Sequence, residues 1–341
     1  MRLRSLFEYS GHFLDKPVKV CGWAKTLRQQ GGGAFAFMEL GDGSGVRTLQ
    51  IVIDKAMPGF EEVLKNGVDA SFMFVGTLVK SIGSKQPIEL QVRDPEKHEM
   101  LMYGSCKQGD YPMAGKKHHT VEFLRNMAHL RPRTRLIGAV ARVRNSLAYA
   151  IHQYFQQKGF LYIHTPIITA SDCEGAGEMF QVTTTIEKGY EKIPVEEKKS
   201  EEGVQKSIKY HEDFFKKPAF LTVSGQLNVE TYCCAMSDVY TFGPAFRAEN
   251  SHTSRHLAEF WMIEPEIAFG DIYDDMRLAE GLIKYALSYL LRYNKEDLEF
   301  FDQFVEKGLI KRLENVVEED FKVITYTEAV ELLQEEAKKA G

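Results

Sequence analysis

With 341 residues, 44% of them hydrophobic, and 22 phenylalanines, the chain is long enough for two domains and a sizeable core. A net charge of −5 excludes binding driven by a strongly basic overall charge, though not a local basic patch. The five cysteines (Cys21, Cys106, Cys173, Cys233 and Cys234) have no C-x-x-C spacing, which predicts reduced, buried thiols rather than a disulfide or zinc framework.

No apolar run approaches the ~20 residues that span a bilayer. The first residues, Met1 to Glu8, are too polar for a signal peptide. A cytoplasmic protein without membrane contact is expected. Pro17–Ala24, Phe35–Leu40, Leu49–Ile53, Phe72–Val79 and Ile88–Val92 read as five short strands, with the turn cluster Gly41–Gly45 between the second and third. Five strands in some 80 residues suit a small closed barrel such as the OB-fold, which binds oligonucleotides on one face or serves as a spacer. Residues 101–132, rich in Gly, Lys and His, read as an irregular linker.

Helical periodicity then runs through Ile137, Val140, Val143, Leu147, Ile151 and Tyr154, and Gly159 ends it. In Thr165-Pro166-Ile167-Ile168 the proline points to an edge or an interface. Residues 187–213 are nearly all charged and polar, and read as a solvated, mobile insertion. A helix is expected over 227–236, another over 274–292 with Met276, Leu278, Leu282, Ile283, Ala286 and Leu290 inward, and helix-turn-helix after that.

The most informative stretch is 246–260. Arg247 and Glu249 sit two apart, and His256, Phe260 and Glu264 fall on alternate positions of a second run. As a hairpin, this sets a cation, a carboxylate and a ring on one surface. A guanidinium forks onto phosphate, a carboxylate accepts from an amine, and a phenyl face stacks on a base.

These residues carry a family resemblance. Phe246, Arg247, Glu249, Arg255, His256 and Phe260 resemble motif 2 of the class II aminoacyl-tRNA synthetases. Gly159–Phe180 resembles motif 1 and the amino-acid loop after it, with Pro166 at the dimer-interface proline. The barrel is similar to the anticodon-binding domain of subgroup IIb, which handles Asp, Asn and Lys; Trp23, Arg28, Phe37 and Gln50 fit its pattern. The asparaginyl branch matches best, because Ser224–Glu230 has Val229 where aspartyl enzymes carry a lysine, and Glu230 follows it.

The resemblance implies an α+β chain. An OB-fold anticodon domain would occupy 1–105, a hinge 106–132, and an antiparallel-sheet catalytic domain 133–341. It implies ATP and Mg2+, asparagine and its tRNA as substrates, and a homodimer. No side chain is assigned to a metal. Arg247 would bridge the α-phosphate and the substrate carboxylate. Glu249 would accept from the adenine amine, Phe260 would stack on the ring, and Arg255 and His256 would hold the outer phosphates. Ser251 would line the nucleotide end or serve as a turn serine. Glu174 and Gln226 would bind asparagine while Gly175 and Gly177 let the loop close. Glu230 would accept from the side-chain amide, its alternative being a solvent-facing helix position. Arg28, Phe37 and Gln50 would read the anticodon, with Phe37 also open to a core-packing reading.

The third motif, Gly-x-Gly-x-Gly-x-Glu-Arg, is absent, since only Gly281, Gly308 and Gly341 follow Gly270. A C-terminally truncated chain is therefore expected, with an unpaired sheet edge and little adenylation of its own. A non-catalytic tRNA-binding relative and an aspartyl enzyme are the alternatives.

Overall fold

The computed structural model describes residues 1–341 except 84–85, 108, 114–118, 174, 176–177, 201–202, 252, 254 and 341. Met1–Ala148 with Leu287–Gly341 forms one compact unit, and Tyr149–Ala286 the other.

In the first unit, α1 (Leu3–Glu8) precedes β1 (Pro17–Gln30), β2 (Phe35–Gly41), β3 (Leu49–Asp54), α2 (Phe60–Leu64), β4 (Ser71–Lys80), β5 (Ile88–Val92) and β6 (Glu99–Gly104). The strand order is β1-β2-β3-β5-β4, and β1 pairs back onto β4 to close a five-stranded barrel of OB topology. Alternation fills it. Val18, Val20, Ala36, Met38, Leu40, Leu49, Ile51, Phe72 and Phe74 all point inward and are buried. Each buried phenylalanine contributes about 2–3 kcal/mol relative to exposure. Gly76 has no room for a side chain, because a Cβ there would stand 2.5 Å from the Gln91 carbonyl oxygen.

The described residues of 101–132 hold more regular structure than the composition suggested. Met100 and Met102 pack on the barrel core, and this period-two pattern makes 99–104 the sixth strand, paired to β4. Thr120 then caps α3 (Val121–Asn126), its hydroxyl accepting the Phe123 N–H at 3.2 Å. Thr134 does the same for α4 (Arg135–Gln157) at Ile137.

The second unit holds β7 (Leu161–Tyr162), β8 (Ile168–Thr169), β9 (Val195–Ser200), β10 (Gly203–Ile208), β11 (Phe220–Leu221), α5 (Gln226–Met236), β12 (Val239–Phe246) and β13 (Glu259–Glu266). β12 pairs antiparallel with β13 and parallel with β7. On its other edge β13 meets no strand among the described residues. Beneath this sheet Phe155 stacks on the fully buried Tyr240 at 4.5 Å, and His152 Nδ1 lies 2.8 Å from the Tyr240 hydroxyl. The 187–213 stretch is not featureless: β9 and β10 pair as an antiparallel hairpin, with Lys206 facing Glu197 at 3.3 Å and Ile208 facing Val195.

Four helices complete the chain: α6 (Ile272–Tyr293), α7 (Lys295–Phe304), α8 (Leu309–Glu318) and α9 (Tyr326–Ala340). Of the side predicted to face inward on α6, Leu278, Ala286 and Leu290 are buried, whereas Met276 and Ile283 are exposed. Thr325 and Glu328 start α9 as a reciprocal cap. Among the described residues no helix is long and apolar enough to cross a membrane.

Candidate active site and RNA-binding face

The hairpin lies where the pattern placed it, with shorter strands. Phe246 pairs with Glu259 and Ala245 with Phe260, and the Arg247 N–H extends the ladder by one bond to the Ala258 carbonyl at 3.1 Å. Glu249, Ser251, Arg255 and His256 therefore lie in the connection rather than on strands. Glu249, Arg255 and His256 are exposed. Ser251 accepts the Thr253 N–H at 3.4 Å, the turn role left open for it, and the Thr253 hydroxyl meets His256 Nδ1.

Arg247 and Phe260 are brought together. The guanidinium carbon lies 5.5 Å from the ring centroid. Arg247 Nε is buried and has no hydrogen-bond partner among the described residues. A buried donor without an acceptor is costly, and a ligand that supplies one removes the cost.

Pairing puts Arg247, Ala245, Gly243 and Thr241 on the same face as Phe260, Met262, Glu264 and Glu266. Gly243 leaves this face open, since a Cβ there would meet nothing within 4 Å. The trough runs from Phe260 to Glu264, four residues or roughly 13 Å along the strand. It is cationic at the Arg247 end and acidic at the other. There burial first, then Glu230, Glu264 and Asp275, push the Glu266 carboxyl upward.

Glu264, which the sequence reading gave no role, organises that acidic end. Its carboxylate accepts the Ser224 hydroxyl and, at 3.1 Å, the Gly225 N–H. Gly225 is required by packing: a Cβ would stand 2.7 Å from Thr165 Oγ1 and 2.9 Å from Thr241 Cγ2. This seats the start of α5. Gln226 Nε2 donates to Glu230 Oε1 at 2.8 Å, and the Cys173 thiol lies 3.8 Å from Gln226 Oε1. Glu230 is exposed on the helix, while Val229 is fully buried. Glu174 and Gly177 lie outside the described residues; Gly175 has the left-handed φ of 64° expected of a loop glycine. Pro166 is exposed among Leu161, Tyr162, Ile167 and Ile168, also exposed.

On the barrel, the register of β1 shifts between Ala24 and Thr26. Before the shift even positions face the core; after it Leu27 does, which turns Arg28 outward opposite Phe37. Arg28 lies 5.7 Å from the Phe37 ring, and Phe35 meets Phe37 edge-on at 5.5 Å. Both rings are half-buried on the outer face, so Phe37 is not core packing. Gln50 donates to Glu89 at 3.1 Å. Glu89, 6% exposed, also takes Ser81 at 3.0 Å. Sequence reading missed Glu89; its only signal was a lone acid in the short strand Ile88–Val92.

A family described as class II tRNA synthetases (D, K and N) matches residues 120–340. An asparagine–tRNA ligase of Desulfitobacterium hafniense (strain Y51) is 50% identical over 99% of this chain and 69% of its own. The chain belongs to the asparagine–tRNA ligase family. A Clostridium beijerinckii asparagine–tRNA ligase is 48% identical, with 99% and 68% covered. The crystal structure of asparaginyl-tRNA synthetase from Pyrococcus horikoshii, complexed with asparaginyl-adenylate, superposes with a TM-score of 0.76 at 25% identity. It covers 95% of this chain and 65% of the other. The chain thus spans about two thirds of the length of its relatives. The α+β reading, an OB barrel with a class II synthetase sheet, holds.

Proposed function

We propose that this chain carries the nucleotide and asparagine half of an asparagine–tRNA ligase site, together with its anticodon-reading barrel. The observation that carries the reading is the unpartnered, buried Arg247 Nε beside Phe260, at the far end of the trough from Glu264. An aminoacyl-adenylate has the same layout: base, phosphate, then ammonium and side chain.

In the first step the asparagine carboxylate oxygen attacks the α-phosphorus of ATP, and pyrophosphate leaves. The carboxylate is already ionised, so no base is needed, and catalysis is positioning and charge stabilisation. Arg247 supplies positive charge where negative charge builds at phosphorus. Phe260 stacks on adenine and Glu249 accepts from its amine. Arg255 and His256 hold the outer phosphates. Mg2+ supplies further charge neutralisation on those phosphates when bound. Glu174, Gln226 and Glu230 take the asparagine. Glu230 is close enough to Gln226 to act with it, and a carboxylate there repels aspartate. Discrimination of about 10⁴ is within reach of such a site.

The second step moves the asparaginyl group to tRNA, whose anticodon is read by Arg28, Phe37 and Gln50, with Glu89 holding Gln50. The exposed apolar face around Pro166 fits a second copy of the chain, giving a homodimer that works in the cytoplasm.

The test is binding of a non-hydrolysable asparaginyl-adenylate analogue, followed by calorimetry. Tight binding is expected, weaker by at least about 100-fold for the aspartyl analogue and lost in Arg247→Ala. Equal affinity for the two analogues, or no effect of the substitution, removes the reading. Because the sequence contains no third motif, ATP–pyrophosphate exchange by residues 1–341 alone is expected to be at background.

A further inference from the structure

Gln50 stands between two acids. On β3 it pairs in register with Glu39 of β2 on one side and with Glu89 of β5 on the other. Its amide nitrogen donates to Glu89 Oε2 at 3.1 Å. The same carboxylate takes the Ser81 hydroxyl at 3.0 Å and, through Oε1, the Gln91 amide nitrogen at 3.4 Å. Three donors thus converge on Glu89, which is buried and acts on the outer face only through them. Phe37 pairs with Val52, two residues along β3 from Gln50, so Gln50 is the diagonal neighbour of that ring. A base stacked on Phe37 presents its edge to the Gln50 amide.

An amide has a donor end and an acceptor end, and a free one turns over to suit either order; a carboxylate only accepts. With an acid on each flank, Gln50 keeps its NH2 toward Glu89, and neither in-register neighbour offers its carbonyl oxygen a donor. The order of donor and acceptor shown to an RNA is then fixed. Uracil and cytosine have the same outline and differ in that order. Uracil has an accepting O4 beside a donating N3–H, whereas cytosine has a donating N4 beside an accepting N3. We propose that Glu89 is a positioning residue that sets base specificity: by pinning the Gln50 amide it makes the barrel take uracil and refuse cytosine at the base on Phe37. This rests on the anticodon reading above. Asparagine codons begin with two adenines, so the anticodon of the matching tRNA carries two uracils.

Three anticodon stem-loops test this with the full chain: the native one, and two in which one or the other uracil is replaced by cytosine. For the unsubstituted protein one of the two replacements is expected to weaken binding about 10- to 100-fold. Glu89→Gln keeps the size but offers Gln50 a donor as well as an acceptor, so that ratio is expected to shrink below about threefold. The native stem-loop should change by less than about threefold, because Phe37 and Arg28 are untouched. Glu89→Leu removes the partner and is expected to do the same, which keeps the test open where one variant fails to fold. A merely structural role would weaken all three RNAs alike and leave the ratio untouched. An intact ratio in the folded variants, equal weakening of all three RNAs, or no discrimination by the unsubstituted protein each overturns the proposal while the anticodon reading stands. No binding of any stem-loop by the unsubstituted protein removes that reading, and the proposal with it.

Discussion

The Glu264 carboxylate on β13 accepts the Ser224 hydroxyl at the threshold of α5. A strand of the hairpin thereby dictates where an otherwise separate helix begins. Its other oxygen takes the Gly225 N–H, so both lone-pair directions toward the helix are used.

Glu264→Gln keeps the shape but offers one acceptor where two are used, and turns an NH2 toward a donor. Asparagine affinity is expected to fall about 10- to 100-fold, at roughly 1–3 kcal/mol for a buried donor left unpaired. Nucleotide affinity should change by less than about threefold, since Arg247 and Phe260 are untouched. Separate calorimetric titrations of ATP and asparagine check this. Equal loss of both would show a general collapse of the sheet.

Gly225→Ala forces a methyl against Thr165 and Thr241. A cost of about 1–3 kcal/mol is expected from overpacking, read as a lower urea midpoint with an unchanged slope. Adding Thr165→Ser should recover little, because Oγ1 remains the clashing atom, whereas Thr165→Ala should recover more.

His98 reports through pH. Its Nδ1 accepts the backbone N–H groups of Arg93 (2.9 Å) and Asp94 (3.2 Å), and its Nε2 lies 3.0 Å from the Thr77 hydroxyl. Only the neutral ring can accept at Nδ1. Burial is the main cause holding its pKa below the ordinary 6.5; Asp94 opposes it and Lys97 adds to it. The sign follows: the unfolded chain takes up the proton first, so stability is complete above about pH 6.5 and falls as pH drops toward the lower folded value. Urea unfolding at pH 7.5 and 5.5 should show this loss in the native protein and not in His98→Asn. The carboxylates held low, Asp94 and Asp213, titrate well below this window.

Much of this was legible in the sequence because it is local. The strand alternation of the barrel and the Phe-Arg-x-Glu hairpin are short-range patterns, and each was found. What escaped depends on contacts far apart in the chain. Glu264 meets Ser224 across 40 residues and Gln50 meets Glu89 across 39. The outward turn of Arg28 depends on a one-residue register shift that no composition announces. Met102, following Met100 on the same strand face, continues the barrel into a stretch whose glycines and lysines argued for a linker. The β9–β10 hairpin escaped for the opposite reason. Its strands are mostly charged and polar, with Lys206 facing Glu197, and a hydrophobic pattern is blind to such pairing.

That hairpin closes on itself. At its base the Lys209 N–H donates to the Pro194 carbonyl at 2.8 Å, so the two stems of the hairpin set out and return at nearly the same point. Whatever lies beyond that pinch can be lengthened, shortened or exchanged without displacing either stem. The protein therefore carries a ready-made port, where a fluorophore or an affinity handle can be spliced in while the sheet face between Phe260 and Glu264 keeps its shape.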